Sequence, residues 1–181
     1  MADTKIMLAG FGGQGVLFAG KLIANTSLIE GREVSWLPSY GPEMRGGTAN
    51  CSVTLADEPI GSPLILEPDA LVAMNQPSLD KFATSVVPGG VIVADATMIP
   101  DLPAADALAP GVTVRAVPAT AMAEEAGLKG LANIILVGAL WAATQFCGRE
   151  ALDAALAKCV PPRKQHLLEP NKRALQMGVE A

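Results

Sequence analysis

The chain has 181 residues, half of them hydrophobic and only 17% charged, with a net charge of −5. That length suits one domain burying roughly 70% of its unfolded surface, and an acidic balance without a long basic run excludes broad electrostatic attraction to nucleic acid. An ordinary soluble domain carries about 25% charged residues, so this lean charge predicts an exterior partly covered by partner subunits or, in their absence, by a second copy.

Taken in chain order, residues 4–9 read as a short apolar strand. The strand runs into Gly10-Phe11-Gly12-Gly13-Gln14-Gly15 and then a helix over 15–29, whose Val16, Leu17, Ala19, Gly20, Ile23 and Ala24 make a core-facing stripe. Gly31 ends that helix. A second strand, 33–37, stops at Pro38, and 39–47 is expected as a loop. The next strand, 48–56, follows too closely for a crossover helix. Either part of the sheet is antiparallel or the loop crosses an edge. Residues 70–74 form a continuous apolar run, as strands buried on both faces do, and Asn75-Gln76-Pro77 opens a helix reaching 85. Strands follow at 91–94 and 112–117, joined by a surface connection over 104–110. Helices are expected at 119–126, 131–146 and 149–158. Pro161-Pro162 interrupts, and a short last helix follows Pro170 with Gly178 past its end. The alternation predicts a single α/β domain over 1–181. Its architecture is a three-layer α/β/α sandwich, Rossmann-like, around a mostly parallel, partly mixed sheet.

The apolar stretch 131–146 contains Asn133 and Gln145 and is shorter than the ~20 residues that span a bilayer, so it reads as a buried helix and no membrane association is expected. Cys51, Cys147 and Cys159 are odd in number and far apart, against a disulfide framework and against an iron–sulfur ligand set. The beginning of the chain shows no signal-peptide pattern, and a cytoplasmic location is expected.

Gly10, Gly12 and Gly15 satisfy the G-x-G-x-x-G spacing between a strand and a helix. Residues without a Cβ let backbone N–H groups approach a ligand, and the helix aims its partial positive end at the same place, so the loop suits a phosphate. Its other reading is a tight strand-to-helix turn. A dinucleotide site would also want an acid at the end of the second strand, which instead closes with Ser35-Trp36-Leu37-Pro38. The second unusual stretch, 41–47, sets Arg45 among glycines. Were the first two strands parallel neighbours, Arg45 would stand near Gly13 and Gln14 and could grip a phosphate or carboxylate. Otherwise it would tie the loop to Glu43 or to a partner subunit. Asn75, Gln76 and Asn133 read more simply as helix-capping or backbone-satisfying residues than as ligand contacts. His166, beside Arg163 and Lys164, reads as solvated, and Cys51 as a small core residue. Neither a catalytic residue nor a metal set is assigned.

The two stretches Gly10-Phe11-Gly12-Gly13-Gln14-Gly15-Val16 and Ser39-Tyr40-Gly41-Pro42-Glu43-Met44-Arg45-Gly46-Gly47 together resemble the gamma subunit of 2-oxoacid:ferredoxin (acceptor) oxidoreductases. Ile60-Gly61-Ser62-Pro63, residues 69–76, Pro88-Gly89-Gly90, Asn133 with Gly138, and Asn171 to Gly178 extend the likeness over nearly the whole chain. Residues 35–40 and 44–51 look most like the 2-oxoglutarate branch. The resemblance implies a complex in which alpha and beta subunits, with a ferredoxin-like delta subunit in some assemblies, carry thiamine diphosphate, magnesium and iron–sulfur clusters. Such a complex converts a 2-oxoacid to an acyl-coenzyme A and CO2, with ferredoxin as acceptor. This chain would contribute to the coenzyme A site and to assembly, and would be inactive alone. The candidate binding set is Gly10, Phe11, Gly12, Gly13, Gln14, Gly15, Arg45 and Gly46, with Ser39 and Tyr40 outside them. The competing readings are an independent NAD(P)-dependent oxidoreductase and a purely structural subunit.

Overall fold

A computed structural model of the protein describes residues 3–40 and 48–181. Six strands, β1 (Thr4–Phe11), β2 (Glu33–Tyr40), β3 (Thr48–Ala56), β4 (Ala70–Ala73), β5 (Val91–Asp95) and β6 (Thr113–Val117), form one sheet in the order β2-β3-β1-β4-β5-β6. β1, β4, β5 and β6 pair in parallel, whereas β3 is antiparallel to both β1 and β2. The sheet is therefore mixed, as the short connection after β2 requires, and only β3 runs against the rest.

At this edge one condition is not met and one expectation needs correction. β1 and β2 are not neighbours: β3 lies between them, with Ala49 opposite Gly10 on one side and Tyr40 on the other. Nor does Pro38 stop β2, which continues through Ser39 and Tyr40 and so takes two residues from the expected loop. β2 is the edge strand, where a residue lacking an N–H can turn its nitrogen outward at no cost to the ladder.

Both faces of the sheet are covered by helices, unequally. On one face α1 (Val16–Ile29) and α4 (Ala132–Thr144) pack over Ile6, Leu8, Val53, Val72 and Val93, with α5 (Arg149–Cys159) packed on α1, and α3 (Ala119–Glu125) and α6 (Leu168–Glu180) packed on α4. The other face, with Met7, Leu71 and Ile92, is covered by α2 (Gln76–Phe82) and the connecting segments that carry Ile65 and Ile99. α4 crosses the sheet with Ile134, Ile135 and Leu136 fully buried, each worth about 1.5–3 kcal/mol. Among the described residues no helix is long and apolar enough to cross a membrane.

Gly178 does not end a helix. It lies inside α6, which starts before Pro170, and a Cβ there would overlap the Ile135 carbonyl; a Cβ at Gly138 would overlap the carbonyl of Leu175. Two glycines thus let α4 and α6 touch backbone to backbone. The three cysteines are buried thiols, and burial pushes the thiol pKa of Cys51 and of Cys147 up to about 12.

Candidate functional site

Chain direction creates the site. From β1 the chain passes through α1 on one face toward β2, and from β4 it passes through α2 on the opposite face toward β5. Where two parallel neighbours send their connections to opposite faces, a crevice opens beyond their C-terminal ends. The glycine loop and the turn after β4 meet there.

Gln14 clasps the two strand ends. Its Nε2 donates to the Met74 carbonyl at 2.9 Å, while Oε1 accepts from Phe11 N–H at 2.6 Å and from Asn75 Nδ2 at 3.0 Å. Asn75 in turn caps α2, its Oδ1 accepting from Ser78 N–H. The expected structural reading of Asn75 therefore holds, and the side chain of Gln14 acts as a strut inside the loop. Gly15 is the N-cap of α1 in the left-handed region, at φ 79°, with no side chain to satisfy the first N–H groups of the helix. Those groups are left for water or an anion. Gly13, at φ 99°, has open space where a Cβ would be. On the far side of Gly15, Asn133 donates Nδ2–H to the Gly15 carbonyl at 3.1 Å. The backbone-satisfying role foreseen for Asn133 is real, and only half of its amide is used for it.

Between these residues and the ends of β4 and β5 lies a cleft of about 280 Å³, floored by Met74, Ala123 and Leu136 and edged by Lys129, Asp95 and Thr120. Asp95 is 1% exposed and holds three donors: Thr97 N–H, Thr120 N–H and, at 2.6 Å, the Thr120 hydroxyl. It sews the start of α3 to the end of β5. The cleft combines an apolar floor with a polar lining in which Lys129 stands among the carboxylates of Asp95 and Glu124, and its lip carries the side-chain-free amino end of α1, which suits an anion borne on a less polar body.

The candidate set is only partly brought together. Gly10, Phe11, Gly12, Gly13, Gln14 and Gly15 form the crevice lip. Ser39 lies in β2, in register with Asn50 and through it with Ala9, two strand spacings or roughly 10 Å from β1. Tyr40 ends the same strand. Arg45 and Gly46 lie outside the described residues. Since β3 replaces β2 as the neighbour of β1, the proximity argument for Arg45 loses its premise; what remains is that β2 ends and β3 begins at the same end of the strands as the glycine loop. The same insertion weakens the nicotinamide reading, whose ribose-binding acid belongs on a parallel strand beside β1.

Sequence reasoning missed Asp95, Thr120 and Lys129. Asp95 had a signal: an acid closing a buried parallel strand falls at the ligand edge of such a sheet. Lys129 and Thr120 carried none. His166 is exposed, remote from the cleft lining. Among the described residues no cluster of three or more His, Cys, Asp or Glu could hold a metal ion.

Comparison with known proteins agrees with this fold. The pyruvate ferredoxin/flavodoxin oxidoreductase family matches residues 5–181. Ketoisovalerate oxidoreductase subunit VorA of Methanothermobacter thermautotrophicus is 40% identical over 98% of this chain and 36% of its own length. 2-Oxoglutarate synthase subunit KorC of Methanocaldococcus jannaschii is 35% identical over 97% of this chain and 92% of its own. The chain thus spans about a third of the VorA relative. The crystal structure of the keto/oxoacid ferredoxin oxidoreductase gamma subunit from Geobacter sulfurreducens superposes with a TM-score of 0.81 at 31% identity, covering 98% of this chain and 96% of that one. With a family match over almost its full length and a gamma-subunit fold, this chain belongs to the pyruvate ferredoxin/flavodoxin oxidoreductase family as a gamma-type member.

Proposed function

We propose that the chain is the gamma subunit of a thiamine diphosphate-dependent 2-oxoacid:ferredoxin oxidoreductase, contributing the phosphate-binding part of a coenzyme A site and an assembly surface. The observation that carries this reading is the crevice at the strand switch, with a side-chain-free helix N-terminus on its lip. Coenzyme A fits that lip by chemistry, because its phosphates want several backbone N–H groups at once and Lys129 lines the same cleft. The cleft lies just below the usual ~300–1,000 Å³ of small-molecule sites, so it takes one end of such a ligand and leaves the rest to neighbouring subunits. When bound, coenzyme A supplies the thiol that accepts the acyl group; this chain's residues bind and orient it.

The proposed substrate is 2-oxoglutarate, giving succinyl-coenzyme A and CO2. Matching length with KorC supports it, since the two chains correspond nearly end to end. Thiamine diphosphate, magnesium and iron–sulfur clusters would reside on alpha and beta subunits, with a ferredoxin-like delta subunit where present and ferredoxin as acceptor. The proposed location is the cytoplasm.

Reconstitution tests this. The purified chain is expected to show no turnover, and its addition to the alpha and beta subunits that co-purify with it is expected to restore coenzyme A-dependent decarboxylation, fastest with 2-oxoglutarate in a panel with pyruvate and 2-oxoisovalerate. Full coenzyme A-dependent activity of the partners without this chain would overturn the role, and a different preferred 2-oxoacid would overturn the substrate.

A further inference from the structure

Three side-chain amides converge on the crevice, and two have their carbonyl oxygens occupied. Gln14 Oε1 takes Phe11 N–H and Asn75 Nδ2–H, and Asn75 Oδ1 takes Ser78 N–H. The third belongs to Asn133, 5% exposed in the first turn of α4 and part of the cleft wall. Because the Gly15 carbonyl can only accept, the donation from Asn133 Nδ2 fixes which way the amide points. Oδ1 is left over, buried and without a hydrogen-bond partner among the described residues. Leaving such an acceptor unpaired is costly, and the cleft that Asn133 helps to line has Met74, Ala132 and Leu136 among its apolar residues.

We propose that Asn133 reads the ligand: on a small shift of its side chain toward the cleft, the buried Oδ1 accepts a hydrogen bond from a neutral N–H group on an apolar body lodged there, while the anionic part of the same molecule stays at the glycine loop. The inference rests on the coenzyme A reading above and deepens it. Coenzyme A carries this chemistry twice, in the 6-amino group of its adenine and in the amides of its pantetheine arm. Either body matches the scale of a cleft of about 280 Å³; the whole molecule does not.

The test is an NMR titration of the full-length ¹⁵N-labelled chain, wild type and Asn133→Ala, with coenzyme A, adenosine 3′,5′-bisphosphate, pantetheine and inorganic pyrophosphate. The expected result is that coenzyme A and one of its two halves bind about tenfold more weakly to the variant, while pyrophosphate, which needs only the loop, binds both proteins equally. The half that responds identifies the N–H group. Equal affinity of both proteins for coenzyme A would overturn the proposal and leave the coenzyme A reading standing. A matching loss for pyrophosphate would overturn it too, since Asn133 would then act only by holding Gly15. If neither coenzyme A nor pyrophosphate shifts the amides of residues 10–16 in the wild type, the coenzyme A reading fails and the inference with it. Should Asn133→Ala fail to fold, the wild-type side-chain amide signal of Asn133 decides: it moves with coenzyme A and stays with pyrophosphate, or the proposal is wrong.

Discussion

Gly15 and Asn133 stand so close that a Cβ on Gly15 would overlap the Asn133 side-chain amide, at a backbone angle that L side chains rarely adopt. Gly13 shares the unusual angle and has nothing within 4 Å. The two positions therefore separate backbone strain from crowding. Gly13→Ala is expected to cost only the left-handed penalty of about 1–2 kcal/mol, and Gly15→Ala about 3 kcal/mol or more, both read from urea unfolding. Equal costs would show that the amide yields without resistance. Cys51 gives a second prediction at this scale. It lies beneath the first turn of α1, its thiol pointing at the Val16 carbonyl, and burial raises its pKa to about 12 against about 8.5 in the unfolded chain. A raised pKa means that the folded state keeps its proton longer. The resulting stabilisation is complete below pH about 8.5 and is lost as pH rises toward 12, at about 1.4 kcal/mol per pH unit for this thiol. Replacing Cys51 by Ala is expected to flatten the fall in unfolding free energy between pH 9 and 10 by that amount; an unchanged slope would place the thiolate at no disadvantage in the fold.

At the scale of elements, the contact of α4 with α6 makes the sharpest prediction. Ala in place of Gly in an exposed helix interior stabilises by about 1 kcal/mol, yet at Gly178 the new methyl would meet the Ile135 carbonyl. Gly178→Ala is therefore expected to destabilise by about 3 kcal/mol in thermal or chemical unfolding, and a gain in stability would deny the backbone contact. Gly178 also marks the limit of reading elements from one sequence. A glycine near a chain's end looks like a helix stop, because the helix that it must admit lies some forty residues away. β3 was legible to the residue, since alternation and flanking glycines are local signals. β2 was not: Pro38 reads as a breaker unless the strand is known to be an edge, and edge position is decided by pairing. The glycine loop and its helix were evident for the same local reason that β3 was. The position of Ser39 and Tyr40, and the separation of β1 from β2, depended on β3 inserting between them, which no local pattern encodes. Asp95 and Asn133 acquire their meaning only when β5, α3 and α4 are brought over the loop.

On the scale of the whole molecule, the two faces of the sheet carry unequal cover. Among the described residues α1 and α4 cover one, backed by α3, α5 and α6, and α2 with connecting segments covers the other, where Leu64 and Leu66 flank the buried Ile65 and are 62% and 75% exposed. Leu37, in register with Ser52 and Met7, adds to that side. Apolar surface of this kind, with so few charges overall, suits a chain packed against other subunits, and it agrees with the proposal that the crevice holds only one end of coenzyme A. Activity on this account is a property of the assembly, with the chain's own share confined to binding. The most direct measurement is a crystal structure of the protein grown with coenzyme A. The account predicts phosphate oxygens within about 3.2 Å of backbone N–H groups of residues 12–17, at the amino end of α1. Ordered coenzyme A phosphates elsewhere on the chain, with that helix end hydrogen-bonded only to water, would contradict it.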